Sequence, residues 1–233
     1  MQGFARSNGI TCSRLQPVLG LCAVSVAADL VPVEGENRIL AYHGLRQLNQ
    51  SPSVGLKAII DVCGMTGRQI TMSDITFKIG PRINASGRME CGKESVDLLV
   101  EKDYMRALKV SEQINEYNEQ RKDIDKQMTD EANQIVARLE TQRHSSSIVL
   151  YDEGWKKGVI GIVASRLTEI YFRPTIVLTR DGDFATGSAR SVAGFDVYAA
   201  IKSCRDILLN FGGHTYACGL TLKWDKVKEF QSR

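Results

Sequence analysis

"DYMRALKVSEQINEYNEQRKDIDKQMTDEANQIVARLETQ", residues 103–142, contains neither glycine nor proline and sets the plan of the whole chain. Leu108, Ile114, Tyr117, Ile124, Met128, Ile135 and Leu139 recur at steps of mainly three, four or seven amid dense mixed charge. That is the spacing of one apolar stripe on an α-helix. Asp103 is a side chain suited to accept from the first free amides and reads as the N-cap. The stretch predicts a single helix of about 60 Å at 1.5 Å per residue. "RHSSS" then closes it.

On the C-terminal side, "IVLYDE" predicts a strand, "GIVASRLTEIYF" a helix, "PTIVLT" a strand and "DVYAAIKSCRDIL" a helix. On the N-terminal side, "LCAVSVAADLVPV" is a β-branched run ended by Pro32 and is read with the strands. "NRILAYHGLRQLNQ" places Ile39, Leu40, His43, Leu45 and Leu48 at roughly helical spacing, and "VGLKAIIDVCG" is a second helix stopped by Gly64. The expected fold class is therefore α/β. Residues 1–102 form one α/β domain, 103–142 the long connecting helix and 143–233 a second α/β domain.

Composition bounds the answer. With 233 residues, 43% apolar and 24% charged, the chain can bury one substantial core or two smaller ones, which excludes disordered and fibrous classes. A net charge of +3 and a pI near 8.5 leave room for a local basic face without demanding a nucleic-acid partner. The six cysteines (Cys12, Cys22, Cys63, Cys91, Cys204 and Cys218) show no CxxC or CxxxC spacing and read as reduced thiols. No stretch approaches the roughly 20 apolar residues that span a bilayer. "MQGFARSNGI" also lacks the apolar core of a secretory leader. The expected location is the cytoplasm, with no membrane partner.

Four places concentrate chemistry. Asp29 in "VAADLVP" ends an apolar run, where α/β sheets present ligand groups, and its carboxylate suits either a metal or a cap or turn. "PRINASGR", residues 81–88, is loop-like in composition and offers the guanidinium forks of Arg82 and Arg88 with the amide of Asn84 to phosphates or base edges. In "TGSARS", residues 186–191, Ser188 and Ser191 bracket Arg190, a grouping that suits a phosphate and also occurs in hairpin turns. "FGGHTYACGL", residues 211–220, interrupts an apolar run with Gly212, Gly213 and His214. Bare backbone beside an imidazole reads as an anion cradle. His43 and His144 read as structural, one on a helix and one beside the serine-rich connection.

Taken in order, "DEGWKKGVIGIVASRL", "GSARS", "GFDVYAAI" and "FGGHTYACGLTL" resemble the C-terminal domain of the DHH phosphoesterase superfamily. "AADLVPVEGENRIL" and "GPRINASGR" narrow the resemblance to the RecJ family of single-stranded-DNA-specific 5′ exonucleases, and it runs across essentially the whole chain. It implies metal-dependent phosphodiester hydrolysis in DNA repair and recombination, with two Mn²⁺ or Mg²⁺ ions and single-stranded DNA as the partner. Site roles follow by resemblance: Ser188, Arg190, Ser191, Gly212, Gly213 and His214 hold phosphate, Arg82, Asn84 and Arg88 contact the strand, and Asp29 binds metal.

The Asp-His-His triplet that names the superfamily is absent from this sequence. The resemblance therefore implies a C-terminal part of the catalytic core, inactive alone and partnered by a missing N-terminal half. Lys157, Ala193 and Cys218 are minor departures from the family pattern. Two other classes stay open at this point: a dinucleotide phosphoesterase of the same superfamily, and a non-catalytic nucleic-acid-binding module.

Overall fold

The computed structural model describes residues 7–9, 18–140 and 145–233. Cys12, His144 and most of "MQGFARSNGI" lie outside the described residues. The chain forms two compact units that divide between Gln120 and Arg121.

The described part of the first unit is helical. It comprises α1 (Leu19–Ala28), α2 (Gly35–Gln50), α3 (Val54–Val62), α4 (Met72–Asp74), α5 (Gly80–Met89), α6 (Lys93–Val100) and the start of α7 (Tyr104–Glu140). A π-helical turn, Ile75–Ile79, joins α4 to α5. Two expectations fail here. "LCAVSVAADLVPV" supplies a helix and no strand, because its buried positions Gly20, Ala23, Val24, Val26 and Ala27 are linked by separations of three and four. That is helical spacing, and small residues let α1 pack closely on α2. "PRINASGR" is likewise helix α5 and not a loop. Pro81 comes just after the π turn, where the Gly80 amide donates to the Ile75 carbonyl and helical backbone runs on into α5. Ala85 and Ser86 are fully buried, so packing overrides the weak helix preference of Asn84 and Gly87.

Asp103 caps α7 as its position predicts, accepting from the Arg106 amide at 2.9 Å. The helix is 37 residues long, about 55 Å. Its buried face changes partner midway. Ala107 and Ile114 join Leu56, Ile59, Ile75, Ile79 and Leu98 in the first core, whereas Met128, Ala132 and Val136 join Leu150, Val163, Leu167 and Val177 in the second.

The second unit is a five-stranded sheet of order β1-β2-β3-β5-β4, built from β1 (Ile148–Asp152), β2 (Thr175–Asp181), β3 (Phe184–Arg190), β4 (Leu208–His214) and β5 (Ala217–Lys223). β1 and β2 are parallel across the crossover helix α8 (Ile160–Tyr171), and the remaining pairs are antiparallel. α8 lies on β2 and β3. α9 (Val197–Ser203) and α10 (Val227–Ser232) bury Val197, Ile201, Val227 and Phe230 with Leu178, Leu220 and Leu222. The chain as a whole is α/β, as expected.

One buried carboxylate anchors the first unit ahead of the π turn. Asp74 closes a capping box with Thr71 and accepts from Arg68 Nη2 at 2.7 Å and Lys78 Nζ at 2.9 Å. The Lys78 bond, then the Thr71 hydroxyl, hold its carboxyl well below the usual carboxylate range. A carboxyl lowered on folding stabilises the folded state fully above its unfolded value near 3.9, and that contribution fades as pH falls toward the folded value. Asp74→Asn is therefore expected to cost about 2 kcal/mol at pH 7 through a lost cap and ion pairs. The deficit against the parent should shrink at pH 2.5. Urea midpoints of both proteins at the two pH values check it, and a pH-independent deficit would contradict the assignment.

Candidate phosphate-binding face

Residues of β3, β5 and β4 that share one face of the sheet follow from register alone, since side chains alternate and paired residues face the same way. Thr186, Thr221 and Asn210 form one cross-strand row, Ser188, Gly219 and Gly212 the next, and Arg190, Ala217 and His214 the third. The opposite face of the same strands carries Ala185, Ala189, Cys218, Leu220 and Leu222 into the core. Polar ends are thus separated by glycine and alanine. Arg190 and His214 stand two strands apart, about 10 Å, and nothing larger than a methyl group lies between them in their row.

The arginine is fixed. Arg190 Nη1 donates to Ser188 Oγ and to the Ala189 carbonyl, both at 2.8 Å, and Nε donates to Ser165 Oγ of α8 at 3.1 Å. A Cβ on Gly161, in the first turn of α8, would meet Ser188 Oγ at 3.0 Å and Arg190 Nη2 at 3.1 Å, so glycine lets the helix start close beside this pair. His214 is exposed, and its Nδ1 accepts from the Tyr216 amide at 3.2 Å. In the neutral ring the proton is consequently on Nε2, free to donate outward.

The two adjacent glycines have different reasons. A Cβ on Gly213, whose φ is +153°, would strike the Ala217 carbonyl and come within 2.6 Å of Cys218 Cα, so this glycine is needed for the approach of β5. A Cβ on Gly212 meets nothing within 4 Å. Packing gives no reason for glycine there, whereas a ligand approaching the main chain does. Gly212 and Gly219, with Thr186, Thr221 and Asn210, line a depression of about 300 Å³. Among the described residues β4 is an edge strand of the sheet. A face with fixed guanidinium, hydroxyls, an imidazole donor and bare backbone can hold a phosphate or similar oxyanion.

The other predicted residues disperse. Ser191 lies just beyond β3, and its hydroxyl donates to the Phe195 carbonyl at 2.8 Å, shaping the loop into α9. On α5, Asn84 and Arg88 share one side one turn apart, while Arg82 points from a different side. Arg82 Nε donates to Asn115 Oδ1 of α7 at 2.9 Å, and Nη1 donates to the Lys78 carbonyl at 2.9 Å. Asp29 is exposed and ends α1, its amide bonded to the Ser25 carbonyl. Among the described residues no three carboxylate, imidazole or thiol side chains converge. The described residues thus do not by themselves fit a divalent-ion site. The five cysteines among them, Cys22, Cys63, Cys91, Cys204 and Cys218, are free thiols.

Reading from residues alone missed Gly161, Ser165, Gly219, Thr186 and Thr221. The usable signal was the alternation of polar with apolar residues in "TGSAR" and of small with apolar residues in "ACGLT", which assigns alternate positions to one sheet face.

Residues 130–233 match the DHHA1 domain. This match covers the C-terminal end of α7 and the whole five-stranded sheet. Across nearly its whole length the chain is also similar to RecJ exonucleases. It is 39% identical to the single-stranded-DNA-specific exonuclease RecJ of Bacillus subtilis (strain 168) over 93% of this chain and 28% of that protein. To the RecJ of Escherichia coli (strain K12) it is 33% identical over 100% of this chain and 42% of that protein. The crystal structure of RecJ in complex with Mn²⁺ from Thermus thermophilus superimposes with a TM-score of 0.84 at 29% identity, covering 98% of this chain and 33% of that one. The Mg²⁺ complex of RecJ from the same organism gives 0.83 over 98% and 35%. The chain therefore spans well under half the length of these relatives. No helix among the described residues is long and apolar enough to cross a membrane.

Proposed function

We propose that this chain is the phosphate-holding and strand-holding part of a RecJ-type 5′ exonuclease acting on single-stranded DNA in repair and recombination in the cytoplasm. The observation that carries the reading is the pair of sheet rows Ser188–Gly219–Gly212 and Arg190–Ala217–His214. Arg190, ordered by Ser188 and Ser165, takes one side of a backbone phosphate, His214 Nε2–H donates from the other, and the Gly212 backbone closes beneath. Asn84 and Arg88, one turn apart on α5, contact the strand as a second element. Contacts of this kind hold one flexible strand without reading bases.

Bond cleavage needs further metal ligands, from outside the described residues, to complete the Mn²⁺ or Mg²⁺ centre to which Asp29 contributes. Exposed Leu30 and Val33 beside Asp29 suit the docking of the segment that carries them. This chain alone is accordingly expected to release no nucleotides from a 5′-labelled single strand with Mn²⁺. Processive release that disappears in Asp29→Ala would overturn that.

The binding role has its own test. Arg190→Ala and His214→Ala should each weaken a short labelled oligonucleotide by about 1–3 kcal/mol, the size of one charge-assisted bond, with the fold intact. Fluorescence anisotropy with parallel thermal melts measures both quantities. Unchanged affinity with a lowered melting temperature would return both residues to a structural role.

A further inference from the structure

A cavity of about 660 Å³ opens in the helical unit, within the size range of small-molecule sites and separate in sequence from the sheet face. Its walls carry Gln50, Lys57, Asp61, Thr66, Arg68 and Gln69. The floor is apolar, with Leu48, Met65 and Ile70 almost fully buried. A second depression shares Gln50 and Gln69 and adds Arg46.

The charge balance favours an anion. Asp61 is the acid of the lining, and hydroxyls already occupy both its oxygens: Thr66 Oγ1 donates at 2.6 Å and Tyr104 OH at 2.8 Å. Lys57 lies over the Tyr104 ring, 4.9 Å from its centroid. Arg68 shares the single carboxylate of Asp74 with Lys78. Among the lining residues Lys57 and Arg68, with Arg46 in the adjoining depression, are set against the one carboxylate of Asp61. Gln50 and Gln69 are exposed and donate to no described group, so two amides with both donor and acceptor atoms stand ready beside the cations. A ligand matching all of this has an anionic end, a hydrogen-bonding edge and a flat apolar body.

We propose that this cavity is a second nucleotide site, taking a nucleoside monophosphate with its phosphate toward Lys57 and Arg68 and its base edge toward Gln50 and Gln69 over the apolar floor. It is independent of the sheet cradle.

The experiment uses the whole chain carrying Arg190→Ala and His214→Ala, so that the sheet face is disabled. Isothermal titration calorimetry is run with dAMP, deoxyadenosine and inorganic phosphate. Saturable binding of one equivalent of dAMP is expected, at least tenfold tighter than either deoxyadenosine or phosphate. Adding Lys57→Ala and Gln69→Ala should weaken dAMP at least tenfold. Gln69→Trp leaves Lys57 and its tyrosine contact untouched, fills the cavity and should abolish binding, with circular dichroism confirming the fold. Absence of saturable dAMP binding, equal affinity for phosphate alone, or indifference to Gln69→Trp would each overturn the proposal.

Discussion

Replacing Arg166 by methionine is expected to destabilise the second unit by about 3–5 kcal/mol, the largest loss for any single surface-reaching side chain in it. Asp125 is on α7 with only 2% of its side chain exposed, and Arg166 of α8 holds both its oxygens, Nε to Oδ1 at 2.9 Å and Nη2 to Oδ2 at 2.8 Å. Asp125 in turn raises the guanidinium's affinity for its proton. Without Arg166 the buried carboxylate keeps, among the described residues, Arg121 Nη1 at 3.9 Å and the Thr129 hydroxyl at 3.5 Å, both poor partners by distance. The converse change is milder. Arg166 is 53% exposed, so in Asp125→Leu the orphaned cation turns to water and an apolar side chain fills the stripe. About 1 kcal/mol is expected for Asp125→Leu, and the double variant should be more stable than Arg166→Met alone. Urea denaturation of the three variants measures this. Equal losses from the two single changes would show that the pair acts through packing and not through the buried charge.

Gly213→Ala and Gly212→Ala, one residue apart, are expected to do opposite things. At Gly213 a methyl group runs into the backbone of β5, within 2.6 Å of Cys218 Cα, at a φ of +153° that L-residues rarely adopt. Backbone cannot move aside as a flexible side chain can. Strain of about 1–3 kcal/mol adds to the clash, and a total loss of about 3 kcal/mol or more is expected. At Gly212 the added methyl enters open space. Stability should stay within about 0.5 kcal/mol of the parent, while oligonucleotide affinity falls because the methyl occupies ground the phosphate needs. Thermal melts and anisotropy on both variants decide it. A Gly212→Ala protein that binds as well as the parent would remove the bare backbone from the site.

Much of the fold was legible because periodicity survives in one dimension. The extent of α7, the Asp103 cap and the strand–helix–strand order after residue 147 follow from spacing and propensity, and each appears where it was expected. The buried face of α7 differs from the expected stripe: it runs through Ala107, Ser111, Ile114, Asn118, Asp125, Met128, Ala132 and Val136, so only Ile114 and Met128 of the expected set are buried and Leu139 is exposed. The errors fell where packing decides. "LCAVSVAADL" is rich in β-branched residues, yet its small residues at helical spacing find α2, and "PRINASGR" holds loop-forming residues that are overruled by the burial of Ala85 and Ser86.

What the sequence determined by itself was local: which segments are helices with one apolar stripe, which are alternating strands, which residues carry charge and bare backbone, and which family pattern they resemble. Only the tertiary structure decided that Arg190 and His214 share a face, because β5 rather than β4 lies beside β3 and the register sets Ser188, Gly219 and Gly212 in one row. The same pairing decided that a side chain on Gly213 would strike β5 while one on Gly212 would meet open space. Strand order and register arise from contacts between residues far apart in the chain, and the burial of one sheet face selects them. No window of sequence contains both sides of such a contact, so its chemistry becomes visible only once the sheet is assembled.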